Sequence, residues 1–254
     1  MKIVVITQDE PFYLAENLDY LVRILPSHSS IVGCVVNDVS PFGKRESFFQ
    51  KALKTYRIFG LRFFLYYGFN YILGKLNRRK KIDEVLKRYG IDKIVLDKSI
   101  NASESVERIK GYQPDILISI LGNQIFKKPV IELAPKGCLN LHTALLPKYR
   151  GLMPTFWALR FQEEYTGVSV FFVDEGIDSG PIVVQKKLAI GSRTQRELIK
   201  ATKKLGMEAI AEAVDLIESD RVELIKNDPA KKSYYSFPTK KDVEAFREAG
   251  KRFF

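Results

Sequence analysis

Hydrophobic positions along the chain gather into short runs separated by amphipathic stretches. KIVVIT (2–7), SIVGCVV (30–36), KIVLD (93–97) and DILISIL (115–121) are near-continuous apolar runs, and CLNLH (138–142), GVSVFFV (167–173) and PIVVQKKL (181–188) follow. Runs of this kind predict strands, and helix-like segments between the first four predict parallel connections covered on both faces. The expected core is an α/β fold built on an open, doubly wound, mostly parallel sheet.

A long helix is predicted from Thr194-Gln195-Arg196-Glu197, which has capping-box form, and Leu198, Leu205, Ala209, Ala213 and Leu216 keep an apolar stripe toward Ser219. Residues 220–254 hold turn residues, paired tyrosines and a short basic helix, too little for a second folded domain, so they predict a tail docked on a 1–219 domain. Residues 48–81, FFQKALKTYRIFGLRFFLYYGFNYILGKLNRRKK, interrupt the alternation with aromatic and basic residues. Three readings compete there: a helical insertion packed on the core or across a homodimer interface, a membrane-surface helix, and a platform for an aromatic, anionic ligand. Packing is preferred, because aromatic stripes usually pack.

At 254 residues and 46% hydrophobic, the chain has the size of one α/β domain with an appendage. Cys34 and Cys138 are far apart in apolar runs, which predicts buried thiols and a reducing, cytoplasmic setting. The N-terminal apolar run meets Gln8, Asp9 and Glu10 and reads as a strand, not a leader; no apolar run has spanning length, since Arg62 divides the best candidate, Ile58 to Leu73. A net charge of +11 fits nucleic acid, phosphorylated metabolites or an anionic surface, and equally a lysine-rich solvated exterior.

The first connection, ITQDEPFYLAEN, has no glycine, which argues against a dinucleotide cradle, and neither a P-loop nor an H-E-x-x-H pattern occurs. In CLNLHTALLPKYRG, strand alternation puts Asn140 and His142 on one face and Leu139 and Leu141 on the other. Pro147 and Gly151 then break regular structure, so the pair sits at a strand's carboxyl end, where open α/β sheets place ligands. An amide that donates to a developing oxyanion and an imidazole that moves a proton suit attack of an amine on a carbonyl. A carboxylate to orient the imidazole is sought in Val173-Asp174-Glu175-Gly176-Ile177-Asp178-Ser179-Gly180, whose glycines favour a tight turn; as a calcium loop it fails at its third ligand position. Phe156 and Trp157 read as core.

The run NLHTALLPKYRG followed by TGVSVFFVDEGIDSGPIV resembles the 10-formyltetrahydrofolate-dependent formyltransferases, the group that includes glycinamide ribonucleotide, methionyl-tRNA and sugar-amine formyltransferases. The likeness is strongest from about Asp115 to Gln185. It implies a Rossmann-like formyltransferase core, an Asn-His-Asp catalytic set on Asn140, His142 and Asp178, and no metal. It also implies a pterin pocket of main-chain groups from Gly122, Asn123, Gln124, Ile125 and Phe126 and from Val173, Asp174, Glu175 and Gly176. Lys148, Tyr149 and Arg150 beside the site are expected to meet an anionic group of the substrate. Many relatives carry serine two residues after the histidine; here Thr143 and Ala144 follow it.

Transfer-RNA members carry an added C-terminal barrel of about a hundred residues that the residues after Ser219 are too few to form. Glycinamide ribonucleotide members lack an insertion like 48–81, and the tail resembles single-core members acting on sugar-type substrates. The expected acceptor is therefore a primary amine of a small anionic metabolite, most simply an amino sugar on a nucleotide, with nucleic acid not favoured. A folate-binding or membrane-surface scaffold without turnover is the alternative of another class.

Overall fold

The structure, a computed structural model, describes residues 1–37, 47–77, 81–122 and 124–254, with the Phe48 side chain excepted. Its seven-stranded sheet contains β1 (Lys2–Gln8), β2 (Ser30–Asn37), β3 (Asp92–Ile94), β4 (Ile116–Ile120), β5 (Cys138–His142), β7 (Tyr165–Phe172) and β8 (Ile182–Ala189), in the order β3-β2-β1-β4-β5-β7-β8. The strands from β1 to β5 pair in parallel, and β7 and β8 extend the sheet antiparallel. A separate pair joins β6 (Arg150–Gly151) to β9 (Tyr234–Tyr235).

The third apolar run is shorter as a strand than its sequence implies: β3 stops at Ile94, and Val95 is exposed. Edge position explains this, because β3 pairs with β2 alone.

Helices cover both faces. α1 (Leu14–Ile24), α3 (Ile82–Tyr89) and α7 (Gln195–Glu218) pack on one side around Ile3, Val5, Leu139 and Leu141. α4 (Ser103–Lys110) and the short α5 (Lys128–Ile131) bury Ile109 and Val130 on the other, with Val4, Ile6 and Cys138. α7 starts at the predicted capping box, Thr194 with Glu197, and buries Leu198, Met207, Ile210, Val214 and Ile217. Each such side chain contributes about 1.5–3 kcal/mol on burial. Gly206 lets α7 approach the sheet, since a Cβ there would lie 2.6 Å from Leu141 Cδ2.

A third cluster joins α2 (Phe48–Leu76), α6 (Pro154–Arg160) and α8 (Lys240–Glu248). Phe156 and Trp157 are buried in it, as expected, beside Phe59, Val243, Phe246 and Phe253. Residues 229–254 therefore lie against the body: β9 pairs with β6, and Phe246 stacks on Phe156 at 5.1 Å between ring centroids. Within the block 48–81, α2 covers Phe48–Leu76 and breaks at Gly60, whose φ of 80° is non-helical. Its basic run at 78–80 lies outside the described residues.

Candidate active site

Strand order reverses between β1 and β4, and the crevice outside their carboxyl ends is where an open sheet leaves room for a ligand. A cavity of about 450 Å³ occupies that place, within the range of small-molecule sites. Gln8 from the end of β1, Ser119 to Gly122 at the end of β4 and just beyond it, Asn140 and His142 from β5 with Thr143 after it, and Val173, Asp174, Gly176, Ile177 and Asp178 contribute to its wall.

Asn140 and His142 share one face of β5, as alternation predicts, while Leu139 and Leu141 are buried against the α1/α7 layer. His142 is 7% exposed. Its Nε2 lies 2.7 Å from the Tyr149 carbonyl oxygen. A carbonyl only accepts, so Nε2 carries the hydrogen and Nδ1 keeps the basic lone pair. Nδ1 faces Asp178 Oδ2 at 3.7 Å, an ion-pair separation once the imidazole is protonated but too long for a direct hydrogen bond.

Asp178 reaches this position by a route the sequence does not reveal. β7 runs antiparallel to β5, so it ends beside the start of β5, where Val173 N donates to Cys138 O at 2.7 Å. The following turn folds back along β5 toward His142. Asp174 Oδ1 closes the turn by accepting from Gly176 N (3.0 Å) and Ser179 Oγ (2.6 Å). Asp178 has a left-handed φ of 49°, and its Oδ2 accepts from Gly151 N at 2.8 Å. Asn227 donates to the carbonyls of Asp178 and Gly180, both at 2.9 Å.

Of the residues expected to line a pterin pocket, Gly122, Gln124, Ile125, Phe126, Val173, Asp174 and Gly176 border the cavity. Asn123 lies outside the described residues, and Glu175 is exposed and not part of the wall. Asn101 clamps this loop by donating to Ile125 O (2.9 Å) and accepting from Lys127 N (2.8 Å). Glycine at 122 is required sterically: a Cβ would sit 2.5 Å from Ser119 Oγ and 3.7 Å from Asn140 Oδ1, in the space before the amide.

The basic loop is placed differently from its expectation. Lys148 and Tyr149 border a separate pocket with Glu163 and Lys187, and Arg150 is buried with its guanidinium donating to Asn227 Oδ1 at 2.8 Å. Pairing of β6 with β9 turns this loop toward residues 233–235 and away from the cavity. Burial, together with the bond to Glu163, pushes the Tyr149 phenol well above its usual range. Arg150 thus supports the turn bearing Asp178 through Asn227.

Sequence reasoning missed a second arm of the cavity, where Gln8, Asn17, Gln195, Ile199, Thr202 and Lys203 meet. Burial lowers the Lys203 ammonium below the ordinary lysine range, and Glu10, 3.7 Å away, pulls it back up. Nothing local marks these residues, since β1, α1 and α7 bring them together across the chain. Among the described residues no group of three or more His, Cys, Asp or Glu side chains is placed to hold a metal ion.

The fold and site define a class: a doubly wound α/β protein with an amide, an imidazole and a carboxylate converging at the carboxyl edge of its sheet. A model described as Formyl transferase matches residues 71–214, more than half of the chain, and the chain belongs to that family. It is 37% identical over 163 residues to a methionyl-tRNA formyltransferase of Kosmotoga olearia, covering 64% of this chain and 52% of the relative. A methionyl-tRNA formyltransferase of Thermodesulfovibrio yellowstonii is 39% identical over 111 residues, 43% of this chain and 36% of its own. The chain spans about half the length, or less, of these curated relatives. Among solved structures, glycinamide ribonucleotide transformylase 1 from Symbiobacterium toebii has a TM-score of 0.61 at 19% identity, covering 89% of this chain and 94% of its own. An N-formyltransferase from Helicobacter canadensis, solved with folinic acid and dTDP-3-aminofucose, has a TM-score of 0.60 at 17% identity, with 98% and 80% covered. At these identities the structures share the fold.

Proposed function

We propose that the protein transfers a formyl group from 10-formyltetrahydrofolate to a primary amine of a small substrate, most simply an amino sugar on a nucleotide. The observation that carries this reading is the convergence of Asn140, His142 and Asp178 in one cavity within a formyl transferase family chain. The folate suits the arm between Gly122, Gln124, Ile125 and Phe126 on one side and Val173, Asp174 and Gly176 on the other, where Gly122 leaves room before Asn140. It supplies an activated formyl carbon and a nitrogen leaving group.

The chain's own groups do the rest. The Asn140 amide donates to the formyl oxygen as it gains charge. His142 takes the amine proton at Nδ1, because Nε2 is committed to Tyr149 O, and Asp178 stabilises the resulting imidazolium. A new carbon–nitrogen bond forms to the amine while the bond to the folate nitrogen breaks, and the proton ends on that nitrogen. The arm holding Gln8, Asn17 and Lys203 receives the acceptor, with Lys203 matched to an anionic group on it.

The test is formyl transfer to a panel of nucleotide-linked amino sugars, glycinamide ribonucleotide and methionyl-tRNA. His142→Ala and Asp178→Asn are expected to lower kcat by about 100-fold or more, the size of a lost general base; unchanged turnover in either variant defeats the mechanism. Methionyl-tRNA as acceptor is the second reading, favoured by the 37% identity to a methionyl-tRNA formyltransferase and the +11 net charge.

A further inference from the structure

The second half of α2, residues 61–76, divides into two unlike faces. Its inner face is packed: Phe63 lies 4.9 Å from Phe253 and Tyr67 lies 4.9 Å from Phe12, centroid to centroid. Gly74 presses so closely on the β1–α1 connection that a Cβ would lie 2.8 Å from Pro11 O. Its outer face presents Leu61, Leu65, Phe69, Ile72 and Leu76, at spacings of four, four, three and four, with exposures of 58, 59, 63, 59 and 74%. Over about 24 Å of helix these side chains form one stripe, which helical periodicity keeps on one side. Five large apolar side chains more than half exposed along one side make a contiguous patch of the kind that marks a contact surface.

Charge decides what covers it. From Phe48 to Lys81 every charged side chain is basic, with no aspartate or glutamate. Arg62 is exposed beside the stripe, over the Phe254 ring at 5.6 Å, Arg57 is exposed just before the break at Gly60, and Lys75 closes on Asp9 of the body at 3.1 Å. A second copy laid along the stripe would bring like charges together with no acid on either helix to pair them. An apolar stripe flanked by cations instead matches a surface that is apolar inside and anionic at its edge. The helix does not meet the requirements for crossing a membrane.

We propose that α2 docks the protein on an anionic phospholipid bilayer, with Leu61, Leu65, Phe69, Ile72 and Leu76 entering the headgroup boundary and the flanking basic residues meeting lipid phosphates. The test is flotation of the full chain with vesicles of phosphatidylcholine alone or with about 30 mol% phosphatidylglycerol, which sets the anionic surface charge. Binding is expected on the anionic vesicles and about tenfold weaker on the neutral ones. The pair Leu65→Gln and Ile72→Gln is expected to lower anionic-vesicle binding by about tenfold or more, with an unchanged melting temperature showing that the exposed positions leave the fold intact. Arg57→Gln with Arg62→Gln is expected to reduce binding and its salt dependence. Three outcomes overturn the proposal: no flotation, equal binding to neutral vesicles, or a dimer in sedimentation that the Leu65 and Ile72 substitutions dissolve.

Discussion

At the scale of single residues, the most telling arrangement is the line from Arg150 through Asn227 to the turn of Asp178. Arg150 is a buried cation whose hydrogen-bond partner is an amide, and that amide in turn holds two carbonyls of the acidic turn. Asn227→Ala removes these bonds and leaves the buried guanidinium without this partner, at a cost of about 3 kcal/mol. A drop in Tm of about 10 °C by calorimetry is expected, with kcat falling more than KM rises, because Asp178 loses its seat. Asn140 and His142 were legible from the sequence, since two residues apart in a strand must share a face. Asp178 was legible only through resemblance to a family, because the antiparallel return of β7 cannot be read from an apolar run. Lys148 and Arg150 lie away from the cavity for a physical reason: their loop is steered by a strand pairing with residues more than eighty positions later.

Among elements, α7 shows how a local signal is kept. The Thr194 N–H and hydroxyl hold the Glu197 carboxyl below the usual carboxylate range, and burial opposes them. A depressed folded pKa means this contribution is complete above the ordinary glutamate pKa of about 4.3 and fades as pH falls through the folded value. Glu197→Gln, which keeps the capping acceptor without the charge, is therefore expected to flatten the acid limb of stability; thermal melts between neutral and acidic pH check this. The seven strands and α7 were visible as runs and periodicity. The break at Gly60 and the two-faced character of α2 were not, because apolar side chains occupy both the packed and the exposed side of that helix and leave no polar stripe to tell them apart. Burial holds the thiols of Cys34 and Cys138 up at about 12, in keeping with the apolar runs that contain them.

For the whole molecule, the sheet supplies the crevice and the last residues brace the loop and helix beside it. β9 pairs with β6, Ser233 O accepts from Arg150 N at 2.9 Å, and Phe246 and Phe253 fill the cluster under α6. A chain ending at Asn227 is expected to keep most of its sheet, by far-ultraviolet circular dichroism, yet to lose formyl transfer entirely. Retained turnover would show that the tail is ornamental. That segment was expected to dock because it is too short for a second folded domain; its partners on α2 and α6 could not be read from it.

The pairing of Arg150–Gly151 with Tyr234–Tyr235 also orders events during synthesis. The Gly151 N–H that holds Asp178 belongs to a strand whose mate is translated about eighty residues afterwards. Until residues 234–235 have been made, His142 has its strand but Gly151, which holds Asp178, lacks the strand it pairs with. A growing chain can therefore build its sheet first and bring Gly151, with the carboxylate it holds, to its final place only after residues 234–235 have been made.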